Sequence, residues 1–358
     1  MQRIVFFILL LTIGMSSVPG VAMANTQQDE HSGMQVGDII MEHILDNHQW
    51  HLFSIGHFHA AIPLPVIVYS GQTGWHCFLS SRLLKEANMS YQGFSIPTEG
   101  EYKGKIIETA SDGTISQPVD LSITKNVFAI FVSMGLMIGL FVTAARKYVK
   151  NPKGAPTGTQ NFIEIFVLFV QNNIARPSLG EEKAPKYLPW LLTIFFFILI
   201  NNFLGIIPGG ANVTGNITVT LCLAIITFFV TLFSGNKHYW LDIFNTPGVP
   251  WYLKIPVPLL PFVEFLGVFI KPFVLTLRLF ANMTAGHVIV LGFMMMICIF
   301  GENNPWAGIG VSPLSVIFSI FMNVLELLVS FIQAYVFTLL SALYVGFAIA
   351  EPKHEKSV

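Results

Sequence analysis

The amino-acid sequence predicts an all-α membrane protein: five transmembrane helices, one interfacial amphipathic helix, and a small exported N-terminal region with some β structure. Three observations carry this expectation. Of 358 residues, 53% are apolar and only 11% charged, far below the roughly 25% charged of an average soluble domain. Five long apolar blocks fill the C-terminal part of the chain, and Lys and Arg fall in every second gap between them. With 19 basic against 20 acidic residues, no basic stripe exists to neutralise a phosphate backbone, so nothing points to nucleic acid as a partner. Cys77, Cys222 and Cys298 are too few and too scattered for a disulfide framework or a metal cluster, and read as small apolar fillers.

In chain order, Arg3, the apolar run Ile4 to Ile13 and Ala22-Met23-Ala24 match the pattern of a secretory signal over residues 1–24, with cleavage expected after Ala24. An uncleaved anchor is the competing reading, but the run is about half of the ~20 residues that a span requires. Residues 25–125 are mixed and polar. Ile62 to Tyr69 is strand-like, and Asp112-Gly113 marks a turn between Lys105–Ala110 and Thr114–Val119. Seven of the ten histidines lie here, among them His48, His51, His57 and His59. Imidazole is the commonest metal ligand. No Cys or carboxylate accompanies them at ligand spacing, so a structural role is the stronger reading and no metal is expected.

The apolar blocks at 126–145, 187–208, 217–234, 257–300 and 313–350 are each read as one transmembrane helix, with 217–234 near the short limit for ~30 Å of hydrocarbon. Gly135 and Gly139 form a GxxxG, read as a helix-packing detail. Over 160–178, Phe162, Phe166, Phe169, Val170 and Ile174 recur at helical spacing, with Asn161, Glu164, Gln171 and Asn172 elsewhere on the wheel. That pattern predicts an interfacial amphipathic helix rather than a span. Arg146, Lys147, Lys150 and Lys153, then Lys237 and Lys254, then Lys353 and Lys356 in the tail 351–358 mark cytoplasmic sides. Gly209–Asn216 and Gly301–Ser312 carry no basic residue and belong outside. The alternation works only if 257–300 crosses once, which requires a steep tilt because ~40 helical residues measure ~60 Å.

Within these blocks lie Glu264, Lys271, Arg278, His287 and Glu326. An ionisable group at the bilayer centre costs at least ~2.5 kcal/mol, so it normally faces a partner or a water-filled path. Glu264 and Lys271 are near enough to the cytoplasmic end to snorkel instead; Arg278, His287 and Glu326 are deeper. Glu264, Lys271 and Arg278 are seven apart and share a helix face, which Asn282 extends, whereas His287 should face a different environment. Asn323, Glu326, Ser330 and Gln333 form a polar stripe able to hold a file of water. His287 and Glu326 can pass protons, while a guanidinium keeps its charge. Two proton carriers and one fixed charge are the result.

KPFVLTLRLFANMTAGH (Lys271 to His287) and LELLVSFIQAYVFTLLSALY (Leu325 to Tyr344) resemble the two signature helices of ATP synthase subunit a, with NNFLGIIPG (Asn201 to Gly209) as a weaker third segment. The resemblance covers roughly Tyr187 to Glu351. It implies a proton-translocating stator of the bacterial Fo sector, with its last two long helices tilted as a hairpin against a ring of small rotor subunits, the c-ring. Each of these bears a buried carboxylate, which Arg278 faces. It further implies peripheral-stalk b subunits as partners, a lipid membrane around the chain, and no cofactor. Asn282, His287, Glu326 and Gln333 would line the half-channel from outside, Glu264 would lie toward the cytoplasmic side, and Tyr344 is a family position of less certain role. Many bacterial members carry Glu in place of His287 and His in place of Glu326; here the pair is exchanged, as in the mitochondrial members. Residues 25–125 depart from the compact members.

Two other function classes compete. A proton- or sodium-coupled secondary transporter would use the same charges, but the sequence shows no internal repeat, and the buried charges are confined to the last two helices. An intramembrane enzyme would need a Ser/His, Asp/Asp or HExxH arrangement, which the segments lack. No GxxxxGK[ST] loop is present, so nucleotide chemistry would belong to partners.

Overall fold

The computed structural model describes residues 46–55, 58–71, 73–84, 91–97, 104–109, 115–150, 155–207, 210–244, 259–303 and 305–350. The signal segment 1–24, the side chains of His51, His57 and His59, and the turn at Asp112-Gly113 lie outside the described residues.

The N-terminal region contains β1 (Gln49–Ile55), β2 (Phe58–Pro63), β3 (Pro65–Ser70), β4 (Gly74–Leu79), α1 (Ser81–Leu84), β5 (Phe94–Ser95), β6 (Ile107–Thr109), β7 (Ile115–Ser116) and β8 (Val119–Asp120). These pair as a β1-β2 hairpin and two antiparallel sheets of order β4-β3-β8 and β5-β6-β7. The stretch Ile62 to Tyr69 is split between β2 and β3, because Pro63 and Pro65 cannot donate to a ladder. Val66 and Val68 alternate inward onto Phe78, Leu83, Phe94 and Ile106. Glu108 is buried beneath them and accepts a hydrogen bond from Ser70 Oγ at 2.8 Å.

The sheet joins the first long helix, α2 (Lys125–Lys150), through an unusual cap. Asp46 accepts from Thr124 Oγ1 at 2.8 Å and from the Asn126 amide at 3.1 Å, and Asn47 O accepts the Lys125 amide at 2.9 Å. Amides of the first helical turn have no partner within the helix; here residues about 80 positions upstream supply them. Nearby, His48 Nε2 meets Asp120 Oδ2 at 3.1 Å, and the Ser122 amide donates to Asp120 Oδ1 at 2.9 Å. Burial pushes the Asp120 carboxyl up, but these hydrogen bonds outweigh it and hold it below its ordinary 3.8. Its folded value therefore lies below its unfolded one, so its contribution to stability is present above 3.8 and is lost as the pH falls through the folded value. Amide exchange along β3 and β8, corrected for intrinsic rate, is expected to stay level from neutral pH to about 5 and to rise below about 4. Asp120→Asn should remove that rise; an unchanged rise in the variant would refute the assignment.

Among the described residues, five helices are long and apolar enough to cross a membrane. The first, α2, runs beyond 145 to Lys150, its basic end complementing the helix dipole. Among the described residues, Gly135 and Gly139 bring no other helix close, since a Cβ on either would meet nothing within 4 Å. Ala129, Ile130, Met137 and Ala144 form the buried face instead. Next come α3 (Thr159–Val170), a π-helical turn Gln171–Ala175 and α4 (Arg176–Leu179), one unbroken helical run. Its buried face is Ile163, Val170, Ile174 and Leu179, while Phe162 is exposed. The expected apolar stripe is thus rotated, because Phe166 and Phe169 wedge against Phe195, Phe331 and Tyr335, leaving Phe162 outside on Phe166. Ile165 and Leu168 are also exposed, so the outer face is more apolar than a purely amphipathic helix requires.

At the centre stands α5 (Ala184–Ile206), with Trp190, Leu191, Ile194, Phe195 and Ile198 fully buried. It stops at Ile206 because Ile207 precedes Pro208 and takes an extended conformation. Asn216 caps α6 (Ile217–Ser234) by accepting the Thr218 amide at 2.9 Å. A short helix, α7 (Lys237–Phe244), precedes the final pair, α8 (Leu259–Asn303) and α9 (Pro305–Ile349). Helix replaces most of the expected Gly301–Ser312 connection. Pro305 is compatible with a first helical position, and Gly308 approaches Gly301 so closely that a Cβ on it would lie 2.7 Å from the Gly301 Cα. Each of these 45-residue helices measures about 67 Å, more than twice the ~30 Å hydrocarbon core.

Candidate functional site

The site forms where α8, α9 and the C-terminal end of α5 meet. His287 on α8 places Nδ1 2.5 Å from Glu326 Oε1 on α9 and Nε2 3.1 Å from the Gly205 carbonyl of α5. The Glu326 side chain is 5% exposed and that of His287 17%. A carbonyl oxygen only accepts, so Nε2 carries a hydrogen. The remaining position between Nδ1 and Oε1 then holds one proton, as imidazolium beside carboxylate or as imidazole beside carboxylic acid. Gly286 makes the approach possible, since a Cβ there would come within 3.0 Å of Glu326 Oε1.

Around this pair the polar stripe on α9 is longer than its spacing in the sequence indicates. Glu326, Ser330 and Gln333 are buried, Asn323 donates to Ser319 O at 2.9 Å, and Ser319 and Ser315 are buried about one and two turns before Asn323. Asn202 on α5 links the stripe to the loop before α6: its amide donates to Ser330 O at 3.2 Å, and its carbonyl accepts from Thr214 Oγ1 at 2.7 Å. Thr284 Oγ1 reaches Gly215 O at 3.4 Å. Ser315, Ser319, Asn202 and Thr214 escape a reading of the sequence. Only Asn202, an amide inside an apolar helix, leaves a signal there.

Arg278 and Asn282 are not in this cluster. Both are exposed on α8, and by helical spacing they lie about 180° and about 140° around the helix from His287. Lys271, seven residues before Arg278, is half-buried with Nζ 5.4 Å from the centre of the Tyr344 ring. Glu264 belongs to α8, but its side chain lies outside the described residues. The structure thus brings together His287 and Glu326 with Gln333 on the same helix face, and sets Arg278 on a separate surface. Among the described residues, no group of three or more His, Cys, Asp or Glu could hold a metal ion.

Residues 127–346 match the family described as ATP synthase A chain. The chain belongs to this family. It is accordingly a membrane subunit of ATP synthase. Similar proteins include an ATP synthase subunit a of Anaeromyxobacter sp. (strain Fw109-5), 34% identical over 348 residues, 94% of this chain and 75% of the relative. Another, from Myxococcus xanthus (strain DK1622), is 42% identical over 248 residues, 68% of this chain and 78% of its own length. An ATP synthase subunit a 2 of Chlorobaculum tepidum is 46% identical over 239 residues, 64% of each chain. The region before the ATP synthase A chain match, residues 39–127, matches a domain of unknown function, DUF8433.

Proposed function

We propose that this chain is the proton-translocating stator of the Fo sector, offering two half-channels to the carboxylates of a c-ring and coupling proton flow to rotation. The observation that supports this most directly is the contact of His287 Nδ1 with the buried Glu326 Oε1 at 2.5 Å, within a stripe of hydrogen-bonding groups that runs along α9 on both sides of it. A proton arriving along Ser319 and Asn323 is taken up by the pair and passed by way of Gln333 toward the rotor. Asn282, exposed one turn from Arg278, stands apart from this route, and Glu264 serves the opposite half-channel. Arg278, a permanent cation on an exposed face, drives an approaching rotor carboxylate to give up its proton and repels protons that would otherwise cross without rotation. On this reading the chain has no catalytic site or cofactor, and it works with c-ring and peripheral-stalk b subunits in the bacterial inner membrane. Its amino terminus is periplasmic and its carboxyl terminus cytoplasmic.

Substitution of the pair tests the proposal. In inverted vesicles, His287→Ala and Glu326→Ala are each expected to slow ATP-driven acidification about 10²-fold, the scale of a lost acid–base partner. The double exchange His287→Glu with Glu326→His should recover much of the rate, since one carboxyl and one imidazole remain in contact. Wild-type pumping in either alanine variant would remove the pair from the proton path and favour a different ion route.

A further inference from the structure

We infer that the outward face of the sheet β4-β3-β8 lies against lipid, as a second, non-spanning membrane contact made by the DUF8433 region. Register fixes which side chains share this face. Tyr69 pairs with Trp75 and Val119, Ile67 with Cys77, and Pro65 with Leu79, and directly opposed residues point to the same side of a sheet. The other side is spent on the core of Val66, Val68 and Phe78. A sheet with one face on a core normally turns polar side chains to water on the other. Here the outward face has no charged residue, and Trp75, Val119, Leu79 and Tyr69 are 65%, 58%, 50% and 41% exposed. Contiguous exposed apolar surface of this kind marks an interaction site.

Position selects lipid as the occupant. The ladder continues past β8, with the Leu121 amide donating to Ile67 O at 2.9 Å and the Ile123 amide to Pro65 O at 3.1 Å, and α2 begins two residues later. The 26 residues of α2 measure about 39 Å, longer than the ~30 Å hydrocarbon core, so its first turn lies at the membrane surface. From Ile123 back to Val119 is only about 13 Å of strand. Along that length the face is graded. Pro65, Leu79 and Leu121 are aliphatic at the end next to the span, and Tyr69 and Trp75 stand at the far end, 5.0 Å apart. Aliphatic groups deep and Trp or Tyr at headgroup level is the order found at membrane interfaces. The face would meet lipid in this way on either side of the bilayer.

A nitroxide on Cys77 tests this in the assembled ATP synthase, reconstituted in phospholipid vesicles, with Cys222→Ser, Cys298→Ser and the other reactive cysteines of the complex replaced. Collisions with oxygen should exceed those with a water-soluble nickel chelate, whereas a nitroxide at Thr73→Cys in the β3–β4 turn, made with Cys77→Ser, should show more nickel contact. Free access of the chelate to Cys77 would place the face in water and overturn the inference. Low access of both reagents would mean that protein covers it, which overturns it equally. Where the label prevents assembly, brominated lipids decide: the fluorescence difference between wild type and Trp75→Phe should be quenched, and an unquenched difference refutes lipid contact.

Discussion

Vesicles carrying Arg278→Ala are expected to show no ATP-driven acidification while the complex remains assembled. The residue is exposed on α8, away from the His287–Glu326 pair, so its removal opens no cavity in this chain and leaves the proton-accepting groups in contact. On the proposed mechanism, what disappears is a fixed positive charge facing a low-dielectric region, where charge interactions are far stronger than in water. Two readouts separate its roles. Loss of pumping reports that rotor carboxylates are no longer discharged. On the same mechanism, a rise in passive proton leak after the soluble motor is stripped reports that the barrier between the proposed half-channels has gone. Arg278→Lys, which keeps a charge but loses the planar fork, should lie between the two. Pumping near the wild-type rate in Arg278→Ala would sink the stator proposal at its centre.

Gly346→Val is expected to deplete the subunit from the assembled complex. A Cβ at this position on α9 would lie 2.3 Å from Ser178 O, a backbone atom of α4 that cannot rotate out of the way. The helical run from Thr159 to Leu179 would have to lift off α9, exposing Leu179 and Ile174, which are 7% and 0% exposed. Overpacking and lost burial together suggest a cost of about 3 kcal/mol or more. Neighbouring ties would loosen with it, among them Lys183 Nζ to Ile349 O at 3.0 Å. Gly135→Val provides the control: its Cβ meets nothing within 4 Å, so its effect should stay within about 0.5 kcal/mol. Native-gel abundance and thermal denaturation of the purified complex would register the difference. Equal abundance of the two variants would show that α4 does not dock against Gly346.

Arg278, His287 and Glu326 were legible as a group because ionisable residues stand out in apolar segments, where each must have a reason. Spacing did not show their contacts, and only the family resemblance paired His287 with Glu326. His287 and Glu326 are 39 residues apart, and no periodicity within one helix predicts a contact between two. The Gly205 carbonyl that orients the imidazole is a backbone atom, which leaves no trace in side-chain composition. The five long apolar helices follow from hydropathy alone, but their ends do not. Polar residues in Gly301–Ser312 read as a loop, whereas a tolerated Pro305 and two facing glycines allow helix almost throughout. The shift of Phe162 outward depends on how Phe166 and Phe169 interlock with Phe195 and Phe331, a matter of tertiary shape. Gly135 and Gly139 show the converse, a pattern present in sequence with no packing behind it among the described residues.

Asp46 and Asn47, at the near end of the strand-bearing region, bind the first turn of α2 at its far end. The region therefore leaves and rejoins the chain at one point, as a closed excursion whose two ends are fastened together. A segment attached in this way can lengthen, shorten or vanish without displacing the helices that follow. For the same reason the helix start is complete only after the whole excursion has been made, so α2 acquires its cap when the strands have folded back and not before.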